Sequence, residues 1–136
     1  MKRSSLLLTL VVAGTVLGCR PSGPRALVLV EAAAHPEIVQ ARAKSFEARS
    51  HREVRLVHVP KVEEAMRIAA RGDADVALVP EGTALGEFDK RNDGESRGTI
   101  DAGGEKLLVI EINAAAHPTV DAEGAKALAA MLVAAP

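Results

Sequence analysis

The sequence predicts an α/β domain, a small sheet that is parallel or mixed and flanked by helices. Apolar runs of strand length alternate with stretches whose apolar residues recur at helical spacing. The runs are continuous rather than alternating, which suits strands buried on both faces. Gly, Pro and Asp punctuate the changes between them. Strand and helix alternating at this spacing imply right-handed βαβ units and a doubly wound sheet in one domain.

Arg25 to Val30 (RALVLV) is the first predicted strand. Pro36 can open a helix without losing a hydrogen bond, and Ile38, Val39, Arg42, Ala43 and Phe46 follow at helical spacing, so Pro36 to Ala48 reads as a helix. Glu53 to Val59 is the second strand. Val62, Ala65, Met66 and Ala69 form one stripe of a helix running to Arg71, which Gly72 ends. Asp75 to Val79 is a third strand, stopped by Pro80. Glu81 to Gly104 is polar, lacks clear periodicity and reads as a flexible loop, long for so small a domain. Lys106 to Ile112 restores a strand. The last helix spans Ala122 to Val133, with Ala125, Leu128, Ala129 and Leu132 inward and Asp121 as N-cap.

The chain carries 17 basic and 18 acidic residues, a net charge of −1, with no Trp or Tyr and two Phe. Such a balance, without aromatic stacking platforms, excludes a nucleic-acid partner. A core of Ala, Val and Leu buries less area per residue than usual, which implies modest stability.

The amino terminus has a chemistry of its own. Lys2 and Arg3 precede an apolar run from Leu6 to Val12, too short for a stable transmembrane helix and suited to a secretory signal. Val16-Leu17-Gly18-Cys19 resembles a bacterial lipobox, which implies cleavage before Cys19, the only cysteine, and acylation of that residue. The expected organisation is a signal peptide over 1–18, a tether over 19–24 and the domain over 25–136. This organisation implies an extracytoplasmic protein anchored to the bacterial cell membrane by its lipid.

Ala32-Ala33-Ala34-His35-Pro36 recurs as Ala114-Ala115-Ala116-His117-Pro118, each copy following a predicted strand. One reading brings His35 and His117 together at the carboxyl ends of neighbouring strands, where open α/β sheets bind ligands. The other makes the repeat a compact exit from a strand. Two histidines without a carboxylate or thiol at ligand spacing make a poor metal site, so no metal is expected. Asp73 and Asp75 suit either paired carboxylates or a turn. Neither a P-loop nor a dinucleotide fingerprint nor a nucleophile elbow is present, so neither a cofactor nor enzymatic activity is expected.

Gly72-Asp73-Ala74-Asp75-Val76-Ala77-Leu78-Val79-Pro80 and the segment from Asn113 through His117-Pro118 to Glu123-Gly124-Ala125-Lys126 resemble the solute-binding proteins of tungstate-type ABC importers. The resemblance covers about a third of the chain after the leader. It implies a single periplasmic-binding-protein-like lobe, shortened after Pro80 where such chains cross into a second lobe. Phe88-Asp89-Lys90-Arg91-Asn92-Asp93 is similar to a stretch whose arginine contacts the oxyanion, which implies Arg91 as counter-charge and Ser96 as hydroxyl donor. His35, His117 and the helix starts at Pro36 and Asp121 complete the candidate anion contacts. Where the family has Thr and Ser after the first strand, this chain has Glu31-Ala32-Ala33-Ala34, which removes donors and adds a negative charge.

Two functions follow as expectations. The first is a membrane-anchored relative of an oxyanion-binding component, with a small oxyanion as ligand and an ABC permease as partner. The second is a lipoprotein that docks on a membrane partner or on itself and binds no small molecule.

Overall fold

The computed structural model describes residues 25–134, so the leader, Cys19 and the tether lie outside the described residues. Five strands form one sheet: β1 (Leu27–Glu31), β2 (Val54–His58), β3 (Val76–Pro80), β4 (Gly94–Ala102) and β5 (Glu105–Ile112). Four helices accompany them: α1 (Pro36–Ser50), α2 (Val62–Ala70), α3 (Gly86–Lys90) and α4 (Ala122–Ala134). The strand order is β2-β1-β3-β5-β4. The fold is thus the α/β class predicted, with a mixed sheet.

β1 pairs in parallel with β2 and β3, whereas β5 is antiparallel to both β3 and β4. Only β5 therefore points the other way. We call the end at which β1, β2 and β3 finish the carboxyl edge, and the opposite end the amino edge. Helices α1 and α4 pack on one face, and α2 lies over β1 and β3 on the other.

The region 81–104 corrects the expectation of a loop. It holds α3 and the nine residues of β4, an outer strand. Gly103 and Gly104 adopt φ of 70° and 91° and join β4 to β5 in a two-residue hairpin, the turn in which both central residues need positive φ. Because β4 climbs to the carboxyl edge before this turn, β5 has to descend. The polarity of β4 follows from its position: one side of it faces solvent at the sheet margin, so it lacks the apolar run of an inner strand.

The remaining elements follow their residues. Leu27, Leu29, Val30 and all of Val76 to Val79 are buried, as continuous apolar strands between neighbours should be. Helix α2 ends at Gly72, whose φ of 76° and N–H bond to the Ala69 carbonyl, together with the Asp73 N–H on the Ile68 carbonyl, close a Schellman cap. The carboxylate of Asp121 accepts the Gly124 N–H at 2.9 Å, the N-cap expected for α4. Ala125, Leu128, Ala129 and Leu132 turn inward, as their spacing requires.

Candidate functional site

At the carboxyl edge the chain leaves β1 for β2 on one side, and β3 lies on the other. Such a reversal of strand order is where open α/β sheets place ligands. The donors there are the backbone N–H groups between β1 and α1.

Those of Ala32, Ala33 and Ala34 are already used. Ala32 N–H bonds to the Leu78 carbonyl at 3.1 Å. Ala33 N–H bonds to the Glu31 carboxylate at 2.8 Å, and Ala34 N–H to the Glu105 carboxylate at 2.9 Å. Glu31 ends β1 fully buried, and His58, its register partner at the end of β2, places Nδ1 2.9 and 3.0 Å from its two oxygens. Two carboxylates of the chain therefore hold the Ala33 and Ala34 N–H groups, where an oxyanion would seek donors.

His35 stands at the start of α1, half-exposed, with Nδ1 3.5 Å from the Glu37 carboxylate and its ring against the Gly103 turn. It makes no side-chain cap of the helix. The first turns of α1 and α2 add Glu37, Glu63 and Glu64, and Glu81 follows β3. Against these stand Lys61, Lys106 and Arg42, whose guanidinium reaches the Asp101 carbonyl, so the edge remains acidic. An anion approaching it meets repulsion.

The amino edge is built differently. Asp75 is 1% exposed and takes four hydrogen bonds: two from Arg25 at 2.7 and 2.9 Å, one from Val28 N–H at 2.8 Å and one from Asp121 N–H at 2.9 Å. The bond to Asp75 raises the Arg25 pKa above its ordinary value. Arg52 donates to the Asp121 carboxylate at 2.6 Å and to the Arg25 carbonyl at 2.7 and 3.0 Å. The Gly124 N–H and then the Arg52 hydrogen bond hold the Asp121 carboxyl below the usual aspartate value. These groups tie the starts of β1, β3 and α4 together. Asp73, by contrast, is exposed and pairs with Arg71, so the two aspartates form no catalytic pair.

The other predicted contacts scatter. Arg91 and His117 do meet, but on a carboxylate: nearly buried Asp93 lies 3.1 Å from Arg91 Nε and 2.9 Å from His117 Nε2. The charge of Arg91 is thereby answered within the chain, and the His117 ring is engaged by the same carboxylate. Ser96 is exposed on β4, in register with Ile110. His35 and His117 lie at opposite edges, because β5 descends and its exit faces the entrance of β3. The helix starts at Pro36 and Asp121 are separated for the same reason. The second Ala-Ala-Ala-His-Pro copy forms turns and opens no helix, since α4 begins only at Ala122.

Three carboxylates essential to this arrangement, Glu31, Asp75 and Asp93, went unassigned as buried anchors at the level of sequence. A signal existed for the first two, since each sits at the end of an apolar run. Among the described residues every buried side-chain polar atom has a hydrogen-bond partner. No three His, Cys, Asp or Glu residues among them are placed to hold a metal ion, and no described helix is long and apolar enough to cross a membrane.

No protein-family model matches the chain, and no curated protein matches it. Its fold is similar to that of a solved structure, a conserved functionally unknown protein from Vibrio parahaemolyticus RIMD 2210633. The TM-score is 0.66 at 12% identity, over 82% of this chain and 95% of that one. At that identity the likeness concerns architecture alone.

Proposed function

We propose that the chain is a membrane-anchored, extracytoplasmic lobe of the solute-binding type that captures no oxyanion and serves as a non-enzymatic docking protein at the membrane. One observation carries this reading: the Ala33 and Ala34 N–H groups at the ligand edge are bonded to Glu31 and Glu105. An oxyanion would have to displace both carboxylates and remain beside them. Arg91, the counter-charge implied by the resemblance, serves Asp93 at the other edge.

The anchor follows from the lipobox-like stretch ending at Cys19. The residues between Cys19 and Arg25 span at most about 20 Å when fully extended, so the amino edge stays near the bilayer and the acidic edge faces away from it. The kinship to importer components directs the docking towards an ABC permease or a second copy.

Calorimetry on the chain freed of its lipid tests the reading, with tungstate, molybdate, sulfate and phosphate each titrated to millimolar concentration. The expected result is no heat of binding with any of them. A saturable isotherm with one of these anions would restore oxyanion capture.

A further inference from the structure

Helix α2 leaves part of its apolar stripe uncovered. Ala65 and Ala69 are buried against the sheet, while Val62, Met66 and Ala70, four residues apart, remain partly exposed. Between this stripe and the segment from Pro80 to Phe88 runs a groove. Its end near the carboxyl edge, about 600 Å³, is lined by Val62, Met66, Pro80 and Ala84. Its continuation, about 300 Å³, adds Ala70, Leu85 and Phe88.

Two opposite charges stand on the rim. Glu63 and Arg67 are exposed and lie four residues apart, yet neither has an ion pair or side-chain hydrogen bond among the described residues. The other rim charges are engaged, Glu87 by Lys90 and Arg91 by Asp93.

We propose that this groove receives a second copy of the chain, with the two α2 helices antiparallel about a two-fold axis at Met66. A two-fold interface has to be complementary to itself. Reversing the helix sets Val62 of each copy opposite the small Ala70 of the other and brings Glu63 of each within reach of Arg67 of the other, about 3 Å apart along the helix axis. A purely basic or acidic peptide, or an anionic lipid surface, would satisfy one of the two charges and oppose the other. Helix α2 has nine residues, so the contact lies at the weak end of protein interfaces, and confinement of both copies to one membrane supplies effective concentration.

This inference rests on the reading of the chain as a tethered docking protein and names its partner. The test is disulfide cross-linking of the full chain in bacterial membranes, with Met66→Cys introduced and the unsubstituted chain, which has only Cys19, as background. A cross-linked dimer is expected, because the axis brings residue 66 next to its mate. Adding Arg67→Glu should lower the dimer roughly tenfold, since both symmetric ion pairs become repulsive. Combining it with Glu63→Arg should restore the yield, which separates lost pairing from misfolding. Lys126→Cys, exposed on α4, should not rise above background. The proposal is overturned if Met66→Cys yields no dimer, if Lys126→Cys yields as much, or if the charge reversals make no difference. Fractionation of the same cells reports the anchor separately. A chain found only in the soluble fraction would remove the tether, and the cross-linking yield would still judge the groove.

Discussion

The two edges of this one sheet saturate their polar groups by different means. At the amino edge the buried carboxylate of Asp75 is held by a permanently charged guanidinium and two backbone N–H groups. The carboxyl edge instead has Glu31 held by a half-exposed imidazole and a single N–H, with Glu105 bonded across from the hairpin. The first edge joins three elements and is a fastening. The second spends two of its backbone donors at the strand ends where open α/β sheets place ligands. Position at a strand end therefore does not by itself make a ligand site; what matters is which donors the chain leaves unspent.

Loss of the amino-edge anchor should be the most damaging change. Asp75→Ala strands Arg25 beside two unpaired N–H groups, and urea titration should show a loss of about 3–5 kcal/mol. If it costs no more than Glu31→Gln, the contrast between the edges fails.

Gly72→Ala comes next. It forces a side chain into positive φ and sets a Cβ 2.8 Å from the His117 Cβ, so a loss of about 2–3 kcal/mol is expected in the same assay. At the carboxyl edge, Glu31→Gln keeps the shape and one acceptor but removes the charge facing His58. A loss of about 1–2 kcal/mol should appear, smaller than at Asp75.

Asp121→Ala removes the N-cap of α4 and should cost about 1 kcal/mol at neutral pH. Its pH dependence sharpens the comparison. Because the folded carboxyl lies below its ordinary value of 3.8, its contribution is complete above that pH and is lost as the solution is acidified through the lower, folded value. The gap between wild type and Asp121→Ala should therefore narrow below about pH 4 in acid-titrated melts.

Much of this fold is legible in the residues. Four apolar runs became strands, three periodic stretches became helices, and Gly72 and Asp121 took the caps their chemistry suits. Strand β4 escaped because an edge strand has no continuous apolar run, although Gly103-Gly104 before Glu105 to Ile112 is a hairpin signal. That omission hid the direction of β5. With β5 assumed to ascend, His117 would share an edge with His35; descending, it meets Gly72 and Asp93. The candidate site was less legible than the fold. Glu31 reads from sequence as a charge that repels an anion, but its bond to Ala33 N–H depends on where the loop after β1 bends.

What the sequence determined alone was local: which apolar runs extend, which periodic stretches coil, and the caps at Gly72 and Asp121. These properties depend on side-chain periodicity and on backbone preferences within a few neighbours. The tertiary structure decided the order and direction of strands, and with them which carboxylate reaches which donor. Glu105 and Ala34 stand 71 positions apart in the chain, and no local preference records such a pairing. It arises only when the hairpin between β4 and β5 closes at the carboxyl edge and brings a glutamate to the start of α1.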